Sequence, residues 1–243
     1  MINDIRNTVL AVLNKNNYGY ISPQDFNLYA QQAQMDLFED YFYAYNYQVN
    51  KENQRTSGTG YADLKKGYVE VIDFFSVTSN LTPAPTILLA NKYFLPSLLT
   101  TGSDYYQINK IFIGGTELER VEQSKILLLN SSPLTAPSTM FPAYTTEGNI
   151  ATVYPALTAP VPDVVSQYIR YPKAPKWTYI DLGTNSEPVF DQTQPDYQDF
   201  ELFPDDATDL TMKILQYAGV SIREASVVQY AGAKEAAETN SEK

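Results

Sequence analysis

A chain of 243 residues without one histidine or cysteine has no route to serine–histidine triads, cysteine nucleophiles, disulfides, zinc sites or imidazole acid–base catalysis. An enzyme built from it would depend on carboxylate, lysine or tyrosine chemistry. The 44% hydrophobic and 19% charged residues describe a globular chain that buries a core, and the net charge of −11 argues against a surface for nucleic-acid phosphates.

The opening run, MINDIRNTVLAVLNKNN, is amphipathic and unlike a secretory signal, and no apolar run approaches the roughly 20 residues that span a bilayer. The expectation is a protein that begins near Met1 and folds in a cytoplasm. Ile2, Ile5, Val9, Val12 and Leu13 recur at steps of three or four, which predicts a first helix ending near Asn14, with Asp4 where the helix dipole favours an acid.

Asn14 to Phe26, NKNNYGYISPQDF, has the outline of a calcium-binding EF-hand loop. Asn14, Asn16 and Tyr18 stand at positions one, three and five, Gly19 at the turn, Ile21 at eight and Asp25 at twelve. Its only carboxylate is Asp25, too little to replace the hydration shell of a divalent ion, and Lys15 has the wrong sign. The same residues read as a helix-turn-helix corner, in which Ser22 caps a second helix, Pro23 is its first residue and Asp25 its third. No metal is expected.

That second helix carries the stripe Phe26, Ala30, Ala33, Leu37, Tyr41 and Ala44 to about Val49. It includes FEDYFYAYNYQ, Phe38 to Gln48, the densest cluster of the 20 tyrosines. Such a cluster suits protein or carbohydrate contacts, or an aromatic helix packed under a sheet. Lys51 to Tyr61 is polar and glycine-bearing, an exposed linker.

GYVEVIDFFSV, Gly67 to Val77, has the alternation of a strand. In the next strand Tyr106, Ile108, Lys110 and Phe112 share one side, and Gly114-Gly115 signals a hairpin. Many of the 15 prolines fall between Asn130 and Pro162, so short strands and turns are expected there. QYIRYPKAPKWTYIDL predicts two strands around a proline-marked turn.

From Asp181 onward 13 acidic residues face four basic ones, Lys213, Arg223, Lys234 and Lys243, giving −9 in that segment, which reads as a solvated acidic face. FPDDATDL opens a helix whose stripe is Leu210, Ile214, Tyr217, Ala218, Ile222, Ala225 and Val228, with Gly219 as a kink or break. The predicted class is α+β. Residues 1–55 supply N-terminal helices, 56–66 a linker, 67–202 a β-rich module, 203–232 the C-terminal helix or helices, and 233–243 a tail. The helices of the two ends form one small bundle, and no catalytic, cofactor-binding or metal-ligating residue is nominated.

NKNNYGYISPQDFNLYAQQAQMDLFEDYF, SSPLTAPSTMFPAY with IATVYP, IRYPKAPKW and FPDDATDLTMKILQYAGV, in that order, resemble the ring or adaptor proteins at the head-to-tail junction of short-tailed phages, especially crAss-like phages. The resemblance spans nearly the whole chain. It implies a virion structural protein whose helical bundle packs against its neighbours in a ring, usually a dodecamer, below the portal protein. The implied β domain meets other ring or tail proteins, and the implied channel passes genomic DNA without binding it. Lumen carboxylates repel phosphate, so the acidic balance fits that role. No catalytic residue is carried across.

Two readings compete. In a tail-associated carbohydrate- or receptor-binding protein, Trp177, Tyr171 and Tyr179 would stack on sugar rings, although a single tryptophan between strand patterns is more often the core of the β module. A carboxylate glycosidase needs two acids about 5–9.5 Å apart, and the sequence nominates no pair.

Overall fold

The computed structural model describes residues 1–13, 21–53, 64–84, 91–102, 104–156, 163–181, 188–222 and 233–234. The protein is α+β and divides into two compact units. One is formed by both ends of the chain, Met1–Tyr68 with Pro172–Lys243, and the other by Val69–Tyr171.

Helix α1 spans Ile2–Leu13 and buries Ile2, Ile5, Val9 and Leu13, while Val12, assigned to the same face, stands 41% exposed. Its first backbone N–H groups need acceptors from elsewhere. Asp199 provides one, accepting from Ile2 N at 2.8 Å. Helix α2, Pro23–Asn53, starts where the capping pattern put it: Ser22 Oγ accepts from Asp25 N at 3.1 Å and donates to the Asp25 carboxylate at 2.6 Å. Of the EF-hand-like stretch, Asn14 to Tyr20 lies outside the described residues.

Helix α3, Leu64–Asp73, corrects two expectations, because it begins inside the 56–66 linker and takes the place of the strand expected from Gly67. Val69, Glu70 and Val71 fit a period of two, but across the whole run Tyr68, Val69, Val71, Ile72 and Phe75 turn inward and Gly67, Glu70 and Asp73 outward. That is the helical period, which a window of a few residues cannot separate from a strand. The expected linker core, 54–63, lies outside the described residues.

The middle unit holds two sheets. Strands β1 (Ser76–Asn80), β2 (Thr82–Pro83) and β3 (Lys92–Phe94) lead to a short helix α4 (Leu98–Thr101). Then follow β4 (Tyr105–Ile113), β5 (Thr116–Glu117), β6 (Glu119–Arg120), helix α5 (Gln123–Asn130), β7 (Ala143–Glu147), β8 (Ile150–Tyr154) and β9 (Val164–Arg170). One sheet is ordered β1-β9-β4-β5 and the other β2-β3-β8-β7-β6, all antiparallel except β6 with β7. Gly114 and Gly115, at φ 54° and 88°, make the β4–β5 turn that the sequence signalled. Two register shifts in β4 break the simple alternation that would put Tyr106, Ile108, Lys110 and Phe112 on one side, and the side chains on the core are Tyr105, Ile108, Ile111 and Ile113. Tyr93, Ile111, Leu118, Tyr144, Val153 and Val164 form one core drawn from both sheets.

Beyond Tyr171 the chain belongs to the helical unit, which shortens the expected 67–202 module to Val69–Tyr171. The two strands expected around the turn at Pro172 are present, one on each side of it, but they do not pair with each other. β9 pairs with β1 and β4, while β10 (Tyr179–Ile180) pairs with β11 (Val189–Phe190). The fully buried Gln34 of α2 holds this returning segment, donating to Lys173 O at 2.8 Å and accepting from Glu201 N at 3.0 Å. A 3-10 turn, Pro204–Asp206, opens helix α6, Ala207–Ile222, which runs through Gly219 without a break. Residues 223–232 and 235–243, with Ala225, Val228 and most of the expected tail, lie outside the described residues.

Phe26, Ala30, Ala33 and Leu37 of α2 share one core with Ile2, Ile5 and Val9 of α1 and Leu210, Ile214 and Ala218 of α6. The two ends of the chain therefore form one helical unit, as their stripes predict.

Candidate interaction surfaces

The tyrosine-rich stretch divides by face. Tyr41 is half-buried and donates to Asp206 Oδ2 at 2.6 Å, joining α2 to the turn that opens α6. Burial, and then the facing Asp206 carboxylate, push its phenol far above the usual value. Tyr217 of α6 makes the reciprocal contact, donating to Asp36 of α2. Burial first and that hydrogen bond second raise its phenol to about 12. Lys213 and Asp40 add an ion pair between the same helices at 3.1 Å. On the other face Tyr43 and Tyr47 project into solvent. The cluster is thus half interhelical staple and half exposed surface.

Trp177, the platform of the sugar-stacking reading, is 2% exposed and lies in the core of the helical unit rather than of the β module. The Arg6 guanidinium sits 3.8 Å over its ring, its indole N–H donates to Asn3, and its backbone is bonded in both directions to the Asn27 amide. Tyr179 and Phe190 stack beside it at 5.7 and 5.9 Å. Tyr171 belongs to the other unit, where its ring meets Tyr106 edge-on at 5.3 Å.

The described acids of the last third all keep some contact with solvent, and several of them also hold backbone. Asp191 accepts from Thr193 N and Oγ1 and from Gln194, bonds that hold its carboxyl below the usual range. Asp199 caps α1, Glu201 accepts from Lys173 N at 2.8 Å, and Asp206 accepts from Phe203 N as well as from Tyr41. Asp196 pairs with Lys176, which keeps its carboxyl low. Among the described residues no group of three or more acidic side chains is placed to hold a metal ion, and no helix is long and apolar enough to cross a membrane. Asp25, the last position of the calcium-like outline, is engaged by its own cap.

A group of exposed apolar residues on the β unit is one that sequence patterning did not reveal. Of the four consecutive apolar residues Ile126 to Leu129 in α5, Ile126 enters the protein interior, whereas Leu127 and Leu128 are exposed. Leu134, Met140 and Phe141, on the loop that returns to β7, are exposed too. An apolar run of this kind is read as core, yet here it forms surface. Monomeric proteins seldom expose a contiguous apolar patch of more than a few hundred Å² without a partner for it. Beside it lies a groove of about 490 Å³ of mixed character, lined by Val121, Leu129, Leu134 and Phe141 together with Glu119, Thr135 and Ser138. The signal available in the sequence was charge rather than hydropathy, since from Gln123 to Ala143 only Lys125 is charged. A second apolar projection, Leu98 and Leu99 on α4, belongs to the same unit.

No protein-family model matches the chain, and no curated protein matches it.

Proposed function

We propose that the protein is a virion structural protein: a subunit of the head-to-tail connector ring that joins the portal to the tail of a short-tailed, crAss-like phage. The observation that carries the reading is the helical unit assembled from both ends of the chain, with α1, α2 and α6 sharing one core and the β unit lying between them in sequence. That is the arrangement the resemblance implies. An exposed apolar surface on the β unit supplies the kind of contact an assembling subunit needs.

Charge supports a conduit in place of a DNA-binding surface. The helical unit has 20 acidic and 12 basic residues, so −8 of the net −11 resides there, and a surface of that sign repels phosphate. The subunit assembles, and in this reading its role needs no catalytic step. Burial of Trp177 takes one of the three rings named for sugar stacking away from the surface, which weighs against the carbohydrate-binding alternative.

Incubation with purified portal rings, followed by imaging of the complexes, tests the proposal. The expected result is a ring of copies, twelve under the implied stoichiometry, seated on one end of the portal. Absence of the chain from portal complexes and from virions would overturn it.

A further inference from the structure

We propose that the outer edge of β1, Ser76–Asn80, takes up an extended segment of another protein as an added strand. The proposal stands without the connector reading, under which that protein is a neighbouring virion component.

The bonds at the two ends of β1 fix which of its backbone groups face out. Arg170 N donates to Phe75 O at 3.0 Å and Leu81 N donates to Val164 O at 2.8 Å, so Phe75 and Leu81 hold hydrogen-bonded positions against the β9 side. Between them the register is unbroken, from Ser76 opposite Ile169 to Asn80 opposite Val165. Such positions alternate in an antiparallel ladder, which gives the backbone of Val77 and Ser79 to β9 and turns the N–H and C=O of Ser76, Thr78 and Asn80 to the other side. β1 ends its sheet, and among the described residues nothing bonds to those outward groups. Thr78 and Asn80 are exposed.

This edge also lacks the protection its counterparts have. Natural sheets guard their edges with very short strands, charge, proline or bulges. β5 and β6 are two residues long and charged, at Glu117 and at Glu119 and Arg120. β2 contains Pro83, and the part of β4 that outruns β5 has two register shifts. β1 has five residues, no proline and no bulge, and it lies in a run from Phe74 to Asn91 without a charged residue.

The strand that fits has a definable chemistry. Its backbone supplies the reciprocal N–H and C=O groups, as in other sheets that take up peptides at an exposed edge. Val77 and Ser79 lie opposite the buried Tyr168 and Ser166, so incoming residues beside them extend that row and should be apolar or β-branched. Alternate residues can be polar, and the net charge of −11 disfavours acids. A second β1 is a poor occupant, because Val77 is its only apolar residue and strands disfavour asparagine.

The probe is a capped synthetic peptide with the sequence of β9, VVSQYIR, which has no acid and is rich in β-branched and aromatic residues. Added to the full-length chain, it should bind saturably and slow hydrogen exchange at the Ser76, Thr78 and Asn80 amides. Thr78→Pro removes an outward N–H and takes no bond from β9, a position at which an edge strand tolerates proline. It should weaken peptide binding about tenfold, because a carbonyl of the peptide loses its donor, while Thr78→Val should bind like the parent. Folding is not at issue in a second measurement, which keeps the parent chain and methylates alternate backbone nitrogens of the peptide. Methylation of the set that faces β1 should abolish binding, and methylation of the other set should spare it. No saturable binding up to ~1 mM peptide, or equal binding by Thr78→Pro and by both methylated peptides, overturns the proposal. So does a parent chain that sediments as a dimer which Thr78→Pro dissolves, since the edge would then belong to a second copy. Failure of the connector reading appears instead as absence from portal complexes and leaves peptide binding intact.

Discussion

Tyr41 of α2 donates its phenolic proton to Asp206, 165 residues further along the chain, across 2.6 Å. The bond joins the helix contributed by the N-terminal end to the turn that opens the helix contributed by the C-terminal end. Replacing Tyr41 with Phe keeps the ring and removes the bond, and a hydrogen bond to a charged acceptor contributes about 1.5–3 kcal/mol. Phe203 N still donates to Asp206, so the carboxylate retains a partner and the cost should fall near the low end, about 1.5 kcal/mol. A shift in the urea midpoint with an unchanged slope would bear this out.

Tyr217 and Asp36 make the companion bond, and it gives the unit an alkaline weakness. Burial, then the bond, raise the Tyr217 phenol from 10.0 to about 12. Because the folded value lies above the unfolded one, the stabilisation is complete below pH 10 and is lost as pH rises through about 12. Denaturation midpoints measured between pH 9 and 12 should therefore fall less steeply in Tyr217→Phe than in the parent. Parallel curves would count against the bond.

The long helices were legible because their apolar spacing persists over several turns: Phe26, Ala30, Ala33 and Leu37 repeat a face too many times for another period to fit. α3 was not, since Val69-Glu70-Val71 is too short to distinguish two periods. The partners of β9 were hidden for another reason. Val77 opposite Tyr168 and Phe112 opposite Val165 pair across 91 and 53 residues, and local pattern does not say which distant strand is next. Apolar composition alone does not place a residue inside, as Leu128 and Leu134 show, since the fold leaves both exposed.

The EF-hand outline should bind no calcium. Asp25 is its only carboxylate and is already the partner of Ser22 at the start of α2. Calorimetry at neutral pH should detect no micromolar binding. Ser22→Ala should instead cost about 1 kcal/mol of stability, as the loss of an N-cap does. Micromolar affinity that vanishes in Asp25→Ala would reverse this assignment.

Ile214 is fully buried in the core shared by α1, α2 and α6, whereas Val12, on the same kind of stripe, is 41% exposed. Ile214→Asp should abolish folding of the helical unit, because an unpaired buried charge costs more than a marginally stable domain has to lose. Leu37→Asp should act alike. Val12→Asp should stay within about 0.5 kcal/mol of the parent. Thermal melts followed by circular dichroism separate the cases, and a parent-like melt for Ile214→Asp would exclude the shared core.

Truncation after Ile222 separates folding from assembly. Leu210, Ile214, Leu215 and Ala218 complete the helical core before that point, so the shortened chain keeps every α6 side chain that the core uses. The sequence beyond continues the apolar spacing with Ala225 and Val228 and then turns small and charged. Sequence of that kind is suited to ordering on a surface supplied by a partner, at a cost met by the new contacts. Under the connector reading that partner is the portal. The truncated chain should melt like the parent and yet be lost from portal complexes in a pull-down. Parent-like retention on the portal would remove this segment from the docking surface, and a lowered melting temperature would assign it to the fold.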